Sequence, residues 1–361
     1  MSSKVLSISA ALLLSTGIAS AEVPKVSADI APVHSLVSKV MNGLGKPHLI
    51  IPAEASPHEY QLRPSDAEAI QESKVIFWIG EDLTPWLTKS LSTLPKDAAI
   101  TTLLDADGIE LLDFREGALF EAHDHSDHSD HDDHDDHDKH KKKDDHDDHD
   151  DHDHGKDKKK DDHDDHDDHD HGKHKKKDDH DDHAGHEGHG HGEHDPHAWL
   201  SPGVAKVWLN LIAAKLSEKD PSNASTYFSN ASSAAKDLDA LSDEINNILD
   251  PVRDEKFVVF HDAYQYFEKY FNISASGAIS LGDASDPSPA RVKEIKDRVE
   301  KEDIHCVLSE PQYKVGLVKA VIEGTHANMA VIDPLGVGLE VGPTLYDKLI
   351  RNLATNLSNC F

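Results

Sequence analysis

Val75-Ile76-Phe77-Trp78-Ile79-Gly80 is a continuous apolar run closed by a glycine. No polar residue interrupts it to mark a solvent face, so it reads as a strand buried on both sides, as in a parallel sheet covered by helices. The surrounding chain agrees. Val26 to Ile30 is a short apolar strand, His34 to Leu44 has helical spacing ended at Gly43 and Gly45, and Leu49-Ile50-Ile51 is the next strand. Ser65 with Glu68 three residues on has the form of a reciprocal helix cap, and Ala99 to Leu103 reads as a further strand. Strands alternating with helices imply right-handed crossovers and parallel pairing. Residues 22–122 therefore read as an N-terminal α/β lobe.

The same alternation resumes past Pro251. Lys256 to Phe260 is a buried strand followed at once by His261-Asp262, and Ile273 to Ile279 is another. Pro289 to Glu302 is a helix, Ile304 to Leu308 a strand, and Met329 to Ile332 a strand followed at once by Asp333-Pro334. Residues 251–361 form a second, C-terminal α/β lobe on this reading. Between the lobes, Ser201-Pro202 opens a helix through Leu216, with proline at the first helical position, in residues 196–219 that complete the first lobe. Asp220-Pro221 opens a longer one, residues 220–250, helical to about Leu249, with Tyr227, Leu238, Leu241, Ile245 and Ile248 as its apolar stripe. About 29 residues span roughly 43 Å, enough for a rigid strut joining the lobes. The expected fold class is α/β: two lobes, each a mostly parallel sheet flanked by helices, joined by one long helix.

Residues 123–195 interrupt this pattern. His123 to His197 holds 23 of the 29 histidines, and His123 to Asp195 carries 30 Asp and Glu against 12 Lys, so the segment supplies −18 of a net charge of −32. Asp144–Lys160, DDHDDHDDHDHGKDKKK, recurs as Asp161–Lys177 with one change. With almost nothing apolar to bury, the tract is expected to be disordered, and its imidazole and carboxylate groups suit many weak sites for zinc, copper or nickel. A solvated acidic linker is the alternative reading. Without it, roughly 290 residues remain, enough for two compact lobes. The acidic balance outside the tract argues against a nucleic-acid partner.

Met1 to Ala21 has Lys4, an apolar run through Leu12-Leu13-Leu14, and Ala19-Ser20-Ala21, the form of a cleavable signal peptide, so the mature chain is expected to begin at Glu22. No other segment approaches a membrane span, and no cysteine follows the cleavage site to carry a lipid. Cys306 and Cys360, an even pair in an exported chain, read as a disulfide, with two free thiols or zinc ligands as alternatives.

In open parallel sheets, ligands bind beyond the carboxyl ends of the strands. His58 and Glu59 follow a first-lobe strand, His261 and Asp333 each follow a second-lobe strand, and His197 closes the tract. Together they make up to three imidazoles and a carboxylate, a tetrahedral set suited to zinc in the cleft between lobes. Each has a blander reading. His58 suits a solvated loop, His197 a packed neighbour of Trp199, His261 a helix start, Asp333 a turn former and Glu59 an exposed side chain. His305, alternating with apolar neighbours, reads as a core residue.

Ser56-Pro57-His58-Glu59-Tyr60 running to Arg63-Pro64-Ser65-Asp66, His197-Ala198-Trp199-Leu200-Ser201-Pro202, Phe260-His261-Asp262-Ala263-Tyr264, Glu310-Pro311-Gln312 and Asp333-Pro334-Leu335-Gly336 occur in that order. Together they resemble the periplasmic zinc-binding components of high-affinity zinc ABC importers, within the cluster A-I metal solute-binding proteins. The resemblance spans nearly all of the mature chain. It implies a two-lobed α/β protein with a long connecting helix, zinc as the transported ligand in the interlobe cleft, and delivery to a membrane permease driven by its ATPase. The chain is expected to be a monomer in a Gram-negative periplasm, because an unanchored exported binding protein would be lost from a cell with one membrane. His58, His197 and His261 match the family's three histidine ligands, and Glu59 matches an acidic neighbour sometimes counted as a fourth. Asp333 matches the aspartate that completes the site in manganese and other zinc relatives, and Cys306 and Cys360 match a disulfide. The tract is unusually long and repetitive for the family. Alternatives are a carrier of manganese or another divalent metal in the same family, and an exported zinc metalloenzyme, although no His-Glu-x-x-His run is present.

Overall fold

The computed structural model describes residues 22–115, 120, 194–280 and 287–361. The signal peptide expected at 1–21 and the tract expected at 123–195, except for His194 and Asp195, lie outside the described residues.

The first lobe builds a four-stranded parallel sheet from β1 (Val26–Ala28), β2 (His48–Leu49), β3 (Val75–Trp78) and β4 (Ala99–Thr102), in the order β2-β1-β3-β4. Every residue of β3 is buried, as its unbroken apolar run requires. Three helices connect these strands: α1 (Ala31–Val40), α2 (Pro64–Glu72) and α3 (Thr88–Thr93). The cap of α2 differs from expectation. The helix starts at Pro64, so Ser65 lies inside it, and Asp66 rather than Glu68 accepts from the backbone amide of Arg63, at 3.3 Å. Asp66 also binds the Arg63 guanidinium and the Tyr60 hydroxyl, which is why the shorter acid wins.

Two helices follow, α4 (Pro202–Lys219) and α5 (Ala224–Leu249). Ser201 caps α4 by accepting from the Val204 amide at 3.3 Å. The long helix begins later than its sequence suggests. Pro221–Asn223 forms a 3₁₀ turn instead, because the Asp220 carboxylate gathers Ser222, Asn223 and Tyr227 around it. α5 has 26 residues and is therefore about 39 Å long. Its buried stripe of Tyr227, Ala231, Ala234, Leu238, Leu241, Ile245 and Leu249 packs against α4 and α1 of the first lobe.

The second lobe holds β5 (Phe257–His261), α6 (Gln265–Phe271), β6 (Ala278–Ser280), α7 (Pro289–Lys301), β7 (Cys306–Ser309), α8 (Val315–Ile322), β8 (Asn328–Val331) and α9 (Leu345–Ser358). Its sheet is also four-stranded and parallel, in the order β6-β5-β7-β8. β5 shows why this sheet needs cover on both faces. Phe257 and Val259 enter a core continuous with that of the first lobe, whereas Val258 and Phe260 enter a smaller one with Ile295, Val299, Val318 and Val321 of α7 and α8. α9 crosses back to pack on α1 and α5, which fixes the two lobes against each other. A disulfide joins Cys306, at the start of β7, to Cys360. His305 is a correction: it is exposed just ahead of that strand, 3.4 Å from an Asp303 oxygen and 3.7 Å from Glu255.

Candidate metal centre

Three histidines converge between the lobes. His58 sits in a 3₁₀ turn, Pro57–Glu59, beyond the carboxyl end of β2. Irregular backbone of this kind needs outside partners, and Trp86 supplies one by donating its indole N–H to the Pro57 carbonyl at 2.8 Å. His58 is half-buried. His197 precedes the turn Ala198–Leu200 and is buried against Trp199, the ring centroids 5.1 Å apart. Trp199 in turn donates to the Pro334 carbonyl at 2.8 Å and accepts at its own carbonyl from the Tyr346 hydroxyl at 2.7 Å, so the second lobe grips this turn. His261 is the last residue of β5 and is also buried.

Ring centroids stand 5.6 Å apart for His58 and His197, 5.4 Å for His197 and His261, and 6.5 Å for His58 and His261. One ligand atom from each lies within 4.8 Å of the others, the one such group of three or more potential ligands among the described residues. Two of the rings are oriented by buried carboxylates. Asp195 Oδ1 lies 2.8 Å from His197 Nδ1 and accepts from the His197 amide at 2.9 Å, and Glu310 Oε1 lies 2.7 Å from His261 Nδ1. Carboxylates so placed select the ring tautomer and raise the basicity of the remaining nitrogen.

Glu59 and Asp333 stand outside the cluster. Glu59 is exposed, because the short turn that turns His58 inward points its neighbour to solvent. Asp333 is taken up by its own turn: it accepts from the Leu335 amide at 3.0 Å, from Gln312 Nε2 at 3.1 Å and from the Val337 amide. Beside His261, burial pushes the Asp262 carboxyl above its usual range, although the Arg115 guanidinium pulls it down. Tyr264 is driven far above an ordinary phenol, by burial first and then by the charges of Glu310 and Asp333, and stays protonated. Sequence reading missed three of these groups as site residues. Asp195 could have been noticed as a carboxylate two positions before His197, and Glu310 stands in the motif Glu310-Pro311-Gln312 without being read as a partner of His261; nothing local marks Arg115 as a partner of the site.

The chain matches a family model described as zinc-uptake complex component A, periplasmic, over residues 26–360. It is 44% identical over 335 residues to the high-affinity zinc uptake system protein ZnuA of Brucella abortus, covering 93% of this chain and 91% of that one. The protein of the same name from Paracoccus denitrificans is 40% identical over 343 residues, covering 95% of this chain and 93% of its own. A crystal structure of ZnuA superposes with a TM-score of 0.66 at 19% identity, covering 93% of this chain and 98% of that one, and so shares the fold.

Proposed function

The chain belongs to the ZnuA family of periplasmic zinc-uptake components, and we propose that His58, His197 and His261 are the side chains with which it holds Zn(II). It is a solute-binding protein of an ABC importer and not an enzyme, with zinc as its transported ligand. On our reading it works as a monomer after loss of residues 1–21, and passes the metal to a permease driven by an ATPase.

The observation that supports the site most strongly is the pairing of three clustered imidazoles with two buried carboxylates. Because Asp195 and Glu310 engage the Nδ1 atoms of His197 and His261, a metal is taken at Nε2 of each. Both carboxylates also offset the charge of a dication held by neutral imidazoles in a buried place. Three nitrogen donors favour zinc over manganese, which prefers oxygen. His58 differs from the other two. It is half-buried on an irregular turn, which makes it the most accessible of the three ligands.

A ligand that binds only the folded protein stabilises it in proportion to its saturation. Zinc should therefore raise the melting temperature of wild type and fail to do so at stoichiometric concentration in His58→Ala, His197→Ala and His261→Ala. An undiminished rise in all three variants would exclude the site.

A further inference from the structure

Beyond β4, residues 109–115 leave the first sheet and run along α6 of the second lobe. The Leu112 amide donates to the Tyr266 hydroxyl at 3.0 Å, Gln265 Nε2 donates to the Asp113 carbonyl at 3.0 Å, and Glu110 pairs with Lys269. At the end of this strap the Arg115 guanidinium engages two second-lobe carboxylates. Its Nε lies 3.0 Å from each oxygen of Asp262, Nη2 also binds Asp262, and Nη1 and Nη2 reach Glu268 at 2.8 and 2.9 Å. Glu268 further accepts from the Ala275 amide at 3.0 Å, so its position is set by backbone.

Asp262 is the residue next to His261. A matching tie runs the other way, because Gln265 Nε2 also donates to Asp195 Oδ2 at 3.2 Å, and Asp195 holds the His197 ring. The second lobe thus grips the carboxylate that holds the His197 ring, and the first lobe grips the residue next to His261. Stability alone is a weak reason for the Arg115 cluster, since desolvating a cation and two carboxylates cancels much of their attraction and apolar side chains of similar volume serve as well. What a forked guanidinium adds is direction, because its paired bonds fix distance and angle together.

We propose that Arg115 is a positioning residue for metal retention: by holding Asp262 to the first lobe, it keeps His261 in register with His197 and slows zinc release. The inference rests on the three-histidine site proposed above.

Arg115→Ala should release zinc to a chelator in stopped flow roughly tenfold to a hundredfold faster than wild type, the range seen when supports of metal ligands are removed. That variant also leaves two buried carboxylates uncompensated. The decisive comparison is therefore R115A/D262N/E268Q, which removes the tie and the stranded charges together. It should regain stability in urea relative to Arg115→Ala yet still release zinc fast, and its cobalt(II) complex should show shifted visible bands while His58, His197 and His261 are intact. Release at the wild-type rate from the triple variant, with wild-type cobalt bands, would overturn the proposal. Failure of the histidine site itself looks different, as weak zinc binding by wild type.

Discussion

Nδ1 of His261 lies 2.7 Å from Oε1 of Glu310, a residue 49 positions further along the chain, and both side chains are buried. β7 ends one residue before Glu310, beside β5, which ends at His261, so the parallel pairing of two strands is what sets this contact. Glu310→Gln keeps the size of the side chain but removes the charge that orients and polarises the ring. Its zinc affinity should fall about tenfold to a hundredfold in a chelator competition, as should that of Asp195→Asn. Wild-type affinity in both would mean that the carboxylates do not tune the site.

Glu59→Gln separates this arrangement from one in which the acid beside His58 is a ligand. Glu59 is exposed and outside the histidine cluster, so the variant should bind zinc as wild type does in the same titration. A loss comparable to that of His58→Ala would place Glu59 on the metal.

Asp29, fully buried at the end of β1, gives a pH dependence to the fold. Burial pushes its carboxyl up to about 7, against the opposing pull of the Ile79 and Ile30 amides, each donating at 2.7 Å. Below about pH 4 the group is protonated in both folded and unfolded chains. Between about 4 and 7 the folded chain keeps a proton that the unfolded chain has lost, so stability falls as pH rises through that window and levels off above it. The full effect is at most about 4 kcal/mol. Urea titrations of metal-free protein from pH 4.5 to 7.5 should show less of this decline in Asp29→Asn than in wild type; parallel profiles would contradict it.

The Cys306–Cys360 disulfide closes a separation of 54 residues and ties the C-terminus to β7. On the chain-entropy model, replacing both cysteines by alanine should lower unfolding stability by about 4 kcal/mol. Zinc affinity should be unchanged, because neither cysteine belongs to the histidine cluster. Urea denaturation and competition titration on one preparation check both halves.

The fold was legible where burial leaves a composition signature. β3 and β5 are continuous apolar runs because both of their faces are covered, and the histidines stand out because His58 sits in a proline-marked turn, His261 ends a strand and His197 closes the tract. Less was legible where two residues could play one part. Asp66 and Glu68 both suit a helix cap, and only the packing of Arg63 and Tyr60 around Asp66 decides between them. His305 misled because alternation with apolar neighbours is meaningful inside a strand, and β7 begins one residue after it. For Asp333, sequence gives the residue type but not that three hydrogen bonds occupy it. Arg115 and Asp262 are 147 positions apart, so their pairing exists only in the folded chain.

The most direct test of the account is a chelator-competition titration of zinc on the protein lacking residues 124–193, carried out beside the same protein bearing His58→Ala, His197→Ala or His261→Ala. The account requires one tightly held zinc per chain in the deleted protein and its loss in each single variant. Loss of tight binding on deletion alone, or its survival in all three histidine variants, would contradict it.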